Sequence, residues 1–131
     1  MPIIIWKDTY SVQIDELDNQ HKRLIGLINQ LYDAMLAGKG KSVNAPILDE
    51  LVEYAQTHFI SEELLMKKCQ YPGLATHKEA HEQLTQKVED FHTSYNAGKS
   101  SISIELMNFL NNWLTDHILT MDKKYVPYLL K

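Results

Sequence analysis

Two pairs of side chains with metal-binding and acid–base chemistry are spaced four residues apart: His58 with Glu62, and His77 with His81. On an α-helix, side chains with this spacing project from the same face, one turn apart. Each pair falls within a stripe of apolar residues that recurs every three or four positions, so both pairs are predicted to be buried. Burial of histidine and glutamate is costly unless a partner compensates for the lost water. A bound metal ion is the partner that would account for several of them at once.

Three further side chains of the same types lie in other predicted helices: His21 in the first, and His117 and Asp122 in the fourth. In an antiparallel bundle with a rise of about 1.5 Å per residue, these three and the two pairs fall within one layer about 10 Å thick. His92 lies about 16 Å from His81 along the third helix and is predicted to be a rim or surface residue. The candidate metal ligands are therefore His21, His58, Glu62, His77, His81, His117 and Asp122.

Asp122 has the least favourable spacing of these candidates. It follows His117 by five residues, and on an ideal α-helix this spacing rotates it about 140° away from the histidine. Asp122 can therefore join the other candidates only where the fourth helix loosens or ends, which the sequence places just before Lys123.

The elements that must position these residues are four amphipathic helices separated by short turns rich in glycine, proline or serine. Helices of this length with short connections favour an all-α fold, an antiparallel up-down-up-down four-helix bundle. The predicted helices cover residues of about 15–37, 46–69, 74–97 and 103–122.

The regions outside the helices are assigned from composition and from two prolines. Residues 1–14 are predicted to form an extended N-terminal arm that packs on the core. Pro46 suits the first turn of the second helix, where its missing N–H group is not needed. Pro127 limits any helical continuation beyond the fourth helix, so residues 128–131 are predicted to form a short docked tail. The chain of 131 residues is thus expected to form a single domain.

Composition excludes several classes of function. A formal net charge of −4 gives no basic excess of the kind that nucleic-acid-binding proteins carry. No apolar run approaches the length of a membrane span, and the N terminus lacks the basic segment of a signal peptide. The single cysteine, Cys69, excludes an intrachain disulfide framework and suits a reducing compartment. We therefore expect a cytoplasmic protein, and a monomer, because the pattern shows no clear exposed apolar patch.

The candidate ligands outnumber what one ion can use, because five imidazoles and two carboxylates exceed the shell of one zinc or one octahedral ion. Two ions close together can share the carboxylates as bridges. If both are octahedral iron ions that also share a solvent oxygen, one coordination position stays vacant for a small diatomic such as O2. A hydrogen-bonded polar core without metal is the competing interpretation. The apolar residues predicted to line the vacant position are Leu24, Phe59, Trp113, Leu114 and Ile118.

The whole pattern resembles the ligand signature of the hemerythrin family, with all seven positions filled. Trp6, the segment 14–22 and the Tyr71-Pro72 turn are similar to bacterial single-domain members, so the resemblance covers essentially the whole chain. It implies a pair of iron ions bridged by an oxo or hydroxo group. The motifs that carry the resemblance are His21, His58-x-x-x-Glu62, His77-x-x-x-His81 and His117-x-x-x-x-Asp122.

The resemblance also implies which residue serves which ion. His77, His81 and His117 would hold one iron ion, which would be six-coordinate. His21 and His58 would hold the other, which would carry the open position for O2. The two carboxylates would bridge the ions.

By the same resemblance, the expected function is reversible O2 binding for carriage, storage or supply inside the cell, and not catalysis. Tyr125 would orient the site from outside the ligand set. The expected partners are O2 and an oxygen-consuming protein, with no nucleic acid and no membrane. The alternatives are a di-iron oxidoreductase (a peroxidase, an oxidase or a nitric-oxide-handling enzyme) and an oxygen or redox sensor that acts through a separate partner. Iron storage is disfavoured because acidic ligands are scarce.

Overall fold

The structure, a computed structural model, describes residues 3–38, 41–98 and 104–130, with the side chains of residues 41 and 42 left out. Across these ranges it confirms the predicted all-α four-helix bundle. The fourth helix passes without a break into a π-helix and then into a short final helix. The elements are α1 (Asp15–Leu36), α2 (Lys41–Lys68), α3 (Leu74–Asn96), α4 (Ile104–His117), the π-helix (Ile118–Asp122) and α5 (Lys123–Leu129).

Helix α1 shows how the sequence specifies these elements. Leu17, Leu24 and Leu31 recur at helical spacing and are buried against the other helices. Acidic residues occupy the first turn, where they interact favourably with the positive end of the helix dipole. One of them, Asp18, also accepts a hydrogen bond of 2.8 Å from the N–H group of Val12, which fixes the chain as it enters the helix.

The predicted N-terminal arm is held along α1 by the amide of one side chain. Asn29 accepts hydrogen bonds from the N–H groups of Ile3 and Ile4, both at 3.0 Å. The same amide donates to the carbonyl oxygen of Ile4 at 2.8 Å. A single 3₁₀ turn, Asp8–Tyr10, interrupts the otherwise extended course of the arm.

The turn between α2 and α3 sets the position of α3 along α2. Gln70 adopts a left-handed conformation with φ of 57°. The N–H group of Tyr71 then bonds the carbonyl of Met66 at 2.9 Å, which closes the end of α2. The ring of Tyr71 packs over Gly73, because a Cβ atom there would lie 2.7 Å from the ring and force it to shift.

Helix α2 begins at Lys41, five residues before the start that Pro46 predicted, so Pro46 lies inside the helix. A proline inside a helix removes one main-chain hydrogen bond, to the carbonyl four residues earlier, and its ring crowds that carbonyl. That carbonyl belongs to residue 42 in the first turn of α2, so the proline disturbs the helix near its start. The predicted start of the fourth helix, residue 103, lies outside the described residues, and α4 is described from Ile104.

The predicted C-terminal tail is also corrected, because residues 128–129 belong to α5 and Pro127 lies within that helix. The carbonyl that would have bonded the missing N–H group of Pro127 belongs to Lys123, which is partly exposed. Water can bond this carbonyl, so the cost of the proline is small and the helix continues.

The bundle interior consists of two apolar clusters with a polar layer between them. The smaller cluster consists of Val12, Leu17, Met66, Tyr125 and Val126, and the larger one includes Leu24, Leu31, Leu51, Leu110 and Leu114. Along α1, His21 lies between Leu17 and Leu24 and thus between the two clusters. Along α2 the order is reversed, from Leu51 in the larger cluster to Met66 in the smaller one, as an antiparallel neighbour requires. The polar layer consists of His21, His58, Glu62, His77, His81, His117 and Asp122.

The clamp on the arm gives the first prediction. Asn29→Ala removes three hydrogen bonds to the arm and is expected to lower the free energy of unfolding by about 1–3 kcal/mol. Urea denaturation followed by circular dichroism measures this change as a lower midpoint. Gln30→Ala, at an exposed neighbouring position of α1, is the matched control and should leave the midpoint unchanged. Equal midpoints for the two variants would show that the arm does not stabilise the bundle.

Candidate metal centre

All seven side chains predicted as ligands lie in one buried layer of the bundle, and none is more than 6% exposed. They come from four elements: α1, α2, α3 and the segment where α4 passes into the π-helix. The structure therefore brings every one of the predicted residues together. That they bind metal stays a prediction, which their geometry and chemistry can support.

The layer divides into two groups whose donor atoms converge. In each group, one nitrogen or oxygen atom per residue lies within 4.8 Å of the corresponding atoms of the others. Glu62 and Asp122 belong to both groups, so the groups are adjacent and share their carboxylates. The first group is Glu62, His77, His81, His117 and Asp122, and the second is His21, His58, Glu62 and Asp122.

The first group points three imidazole nitrogens at one place. Nε2 of His117 lies 3.0 Å from Nε2 of both His77 and His81. Oδ1 of Asp122 lies 2.9 Å from Nε2 of His77 and 3.0 Å from that of His117. Protons cannot satisfy three nitrogens and an oxygen that all face a common point, whereas one cation at that point would contact all of them.

The second group contains two imidazoles facing the same carboxylates from the opposite side. Nε2 of His21 lies 3.1 Å from Oδ2 of Asp122, and Nε2 of His58 lies 3.2 Å from Oε1 of Glu62. The first group uses Oδ1 of Asp122 and the second uses Oδ2, so each carboxylate oxygen of Asp122 faces its own group. This is the arrangement expected of a carboxylate that bridges two ions.

The π-helix places Asp122 in the layer. A π-helix has a wider turn than an α-helix, so residues five apart lie on nearly the same side. The five residues Ile118–Asp122 adopt this conformation immediately after His117, and Asp122 is fully buried beside the histidine. The sequence required the helix to loosen or end here; the structure shows that it loosens and then continues as α5.

The two carboxylates make the layer strongly attractive to cations. Burial raises the pKa of Glu62, but the charge of His58 and the contacts of three histidines outweigh burial, so the pKa lies well below its ordinary value. Burial lowers the pKa of His21, yet the adjacent carboxylates raise it to about 9. The layer therefore favours positive charge at its centre, which either protons or metal ions could supply.

Several buried polar atoms of the layer lie 2.9–3.3 Å from imidazole nitrogens without the geometry of a hydrogen bond, which favours metal ions over protons. These atoms include Oε1 of Glu62 and both carboxylate oxygens of Asp122. An unpaired buried carboxylate oxygen costs several kcal/mol, on the order of a lost charged hydrogen bond. The donor set of imidazole nitrogens and carboxylate oxygens fits a first-row transition metal. The residues present therefore fit a metal site.

Three side chains outside the layer orient its members. Nδ1 of His58 donates to Oε1 of Gln20 at 2.6 Å, and this leaves Nε2 free to face the second group. Nδ1 of His81 donates to Oε2 of Glu63 at 2.9 Å, with the same effect in the first group. The hydroxyl of Tyr125 donates to Oε2 of Glu62 at 2.6 Å. Tyr125 thus contacts the layer, as an orienting residue must.

The orienting roles of Gln20 and Glu63 were missed by the sequence analysis. Gln20 immediately precedes His21, and Glu63 immediately follows Glu62. Both therefore lie at the edge of the apolar stripe, and this position is the signal that could have identified them. The partner of each side chain lies on a different helix, so the contact depends on how the helices are rotated against one another.

Aromatic rings fix the planes of two histidines. The ring of Phe59 stacks on that of His81, with centroids 4.0 Å apart and an angle of 9° between the planes. The ring of Trp113 stacks on that of His117 at 4.5 Å and 12°. These contacts and the hydrogen bonds leave few orientations open to the rings, so the donor atoms are held in place before any ion binds.

An apolar cavity of about 40 Å³ lies next to the layer, within the larger cluster. Of the predicted lining residues, Leu24, Phe59, Trp113 and Leu114 border it, but Ile118 does not. Ile118 is fully buried, yet the cavity extends the other way, from Leu114 toward the start of α4. Ile118 therefore lies outside this cavity, and its place at the vacant coordination position stays a prediction.

The sixth histidine, His92, lies outside the layer, as predicted. Its side chain is 27% exposed and its Nε2 atom bonds Oδ1 of Asp49 on α2.

Within the described residues, no helix is both long enough and apolar enough to cross a membrane.

The fold and the site together define a class: helical bundles that carry a buried histidine and carboxylate site between their helices. The chain belongs to the hemerythrin family, because residues 12–129 match the family model described as the hemerythrin HHE cation binding domain. The resemblance found in the sequence is thereby confirmed.

Individual relatives agree with this assignment. Bacteriohemerythrin of Stenotrophomonas maltophilia (strain R551-3) is 36% identical over 125 residues, which cover 95% of this chain and 80% of the relative. Bacteriohemerythrin of Methylococcus capsulatus is 31% identical over 130 residues, 98% of each chain. A crystal structure of wild-type hemerythrin matches with a TM-score of 0.92 at 31% identity, over 98% of this chain and 99% of that one.

The convergence of the first group predicts how metal content responds to mutation. His77→Ala removes one of three converging nitrogens and is expected to weaken metal binding by at least about tenfold. Metal analysis of the purified variant, after dialysis against a chelator, measures the loss. His92→Ala removes a histidine at the rim of the same helix and should retain the wild-type metal content. Loss of metal from His92→Ala would overturn the assignment of the ligands.

The hydrogen bond from Tyr125 gives a separate prediction. Tyr125→Phe leaves Oε2 of Glu62 without its donor and is expected to lower metal affinity by about 10–100-fold. Competition titration with a chelator measures the affinity. Tyr32→Phe deletes the same hydroxyl from a tyrosine of α1 that packs on the larger cluster, and it should have no effect. An unchanged affinity in Tyr125→Phe would mean that the tyrosine only packs against the site.

Proposed function

We propose that the polar layer holds two iron ions and that the protein binds O2 reversibly there. The observation that carries this proposal is the pair of donor groups that share Glu62 and Asp122. A single ion would leave one group without a cation, and two ions give each group its own. Membership of a cation-binding family supports the presence of the ions.

The donor set supports iron. His77, His81 and His117 would hold one ion, His21 and His58 would hold the other, and the carboxylates would serve both. Five imidazoles and two carboxylates suit a divalent or trivalent first-row metal of octahedral preference. A pair of iron ions held there would supply reversible two-electron exchange with dioxygen.

The unequal number of imidazoles supports a single position for O2. The first group has three histidines and the second has two, so the second ion has one protein donor fewer. The apolar cavity gives a small apolar molecule room to approach, because Phe59 and Trp113 line it and stack on His81 and His117 of the layer. Leu24 and Leu114 contribute apolar surface between the cavity and the layer, and such surface offers water no hydrogen-bond partners.

The surroundings of the layer favour reversible binding over turnover. Turnover of dioxygen to water or peroxide consumes protons, which the protein would have to deliver. Burial and the neighbouring carboxylates of Glu62 and Asp122 raise the pKa of Tyr125, so its hydroxyl keeps its proton and donates it only as a hydrogen bond. Di-iron oxidases in related bundles rely on about four carboxylates and two histidines, whereas neutral imidazole dominates here.

The proposed role is oxygen carriage, storage or supply inside the cell, in which an oxygen-consuming protein receives the O2. The names of the bacterial relatives support oxygen binding as the activity. A di-iron oxidoreductase and an oxygen or redox sensor are the alternatives, and each predicts a different fate for bound O2.

Repeated oxygenation tests the proposal. The protein is reduced without oxygen, exposed to O2, and then returned to argon while its visible absorption is recorded. A carrier is expected to gain an absorption band with O2 and lose it under argon over many cycles. Conversion within one cycle to a stable oxidised form, with peroxide released to solution, would contradict the proposal and indicate an oxidase. The His92→Ala variant should cycle as the wild type does.

A further inference from the structure

A second, smaller apolar space lies between α2 and α3, beside the cavity. It measures about 20 Å³. Ala55, Phe59, Leu84 and Val88 line both this space and the cavity, so the two are separated only by side chains that they share. The smaller space therefore lies between the cavity and the surface of the α2–α3 face.

A wide groove on the outer surface of α2 and α3 borders the smaller space from the solvent side. Gln56, Phe59 and Thr85 line both the groove and the smaller space. The groove, the smaller space and the cavity thus follow one another from solvent to interior, and Phe59 borders all three. The smaller space and its outer rim of Gln56 and Thr85 together form a side passage.

We propose that the cavity is a docking site for small apolar gas molecules, and that they reach it through the side passage between α2 and α3. The cavity volume of about 40 Å³ exceeds the ~10–15 Å³ that one water-sized molecule requires. Its lining is apolar, so water gains no hydrogen bonds there, whereas a gas molecule loses none. That O2 uses this route rests on the proposed function, but the docking of a gas does not.

A hydrogen bond between α2 and α3 lies at the outer rim. Nε2 of Gln56 on α2 donates to Oε1 of Glu89 on α3 at 2.8 Å. The bond is exposed, so water can replace either partner and its net contribution is small. Exposed side chains change rotamer in picoseconds to nanoseconds, so this contact can open far faster than the bundle itself moves.

Two rim residues allow the passage to be changed without changing the cavity. Thr85 and Gln56 line the smaller space and the groove but not the cavity. Thr85→Leu adds apolar volume at the rim and narrows the passage, whereas Gln56→Ala removes the contact with Glu89 and widens it. Gln83→Leu, at an exposed position of α3 that borders none of the three spaces, is the matched control.

Oxygen kinetics on the iron-loaded protein provide the first test, with association and release rates measured by stopped flow. Thr85→Leu is expected to slow both rates several-fold by the same factor, and Gln56→Ala to speed both. The Kd for O2 should stay constant, because a passage affects the path and not the end states. Rates unchanged in both variants, or a change in only one of the two rates, would overturn the route.

Xenon provides a second test that needs neither iron nor O2. Crystals of the full chain under xenon pressure are expected to show the gas between Leu51, Leu110 and Phe59. Crystals of Thr85→Leu should fill more slowly than crystals of Gln83→Leu. Absence of xenon from the cavity would overturn the docking site. If O2 fails to bind but xenon enters as expected, the proposed function falls and the docking site stands.

Discussion

Two charged carboxylates inside an apolar bundle are the constraint on which this structure depends. Glu62 and Asp122 are fully buried. Burial and the nearby Glu62 raise the pKa of Asp122, but contacts with His117, His21 and His77 lower it below its ordinary range. Both groups therefore carry charge where water cannot reach them. Buried charges cost several kcal/mol each unless cations and hydrogen bonds compensate, so the layer is expected to be stable only with positive charge at its centre.

The rest of the bundle positions that charge and isolates it. Apolar clusters lie on both sides of the layer, so a donor atom that left its place would lose its partners without gaining water. Gln20 and Glu63 hold two imidazoles by their outer nitrogens, and Phe59 and Trp113 stack against two of the rings. The π-helix gives up the better hydrogen-bond geometry of an α-helix to bring Asp122 beside His117. Such a departure from regular geometry is typical of functional sites.

The sequence predicted the bundle and the seven residues of the layer because both follow from helical periodicity, which is a local property. It also predicted that the helix must change near Asp122, because spacing alone made an ideal helix incompatible with the site. It placed the start of α2 and the end of the last helix wrongly, because Pro46 and Pro127 were read as boundaries. Each of these prolines loses one hydrogen bond and crowds one carbonyl near a helix end, and the helix continues through both positions.

The features that escaped prediction depend on how helices rotate and pack against one another. Glu63 reaches His81 across the α2–α3 interface, and no spacing within α2 specifies that contact. The cavity and the side passage are volumes that packing leaves unfilled, and periodicity carries no information about unfilled volume. The direction in which the cavity extends, from Leu114 toward the start of α4, is set by packing in the same way.

Anomalous X-ray scattering at the iron edge, from crystals of protein made in iron-replete cells, tests the central claim most directly. Two iron peaks are expected in the polar layer. One should lie among Nε2 of His77, His81 and His117, and the other between His21 and His58, with Glu62 and Asp122 contacting both. A layer with the same side-chain positions but no anomalous peak, in protein that is fully folded, would contradict the claim.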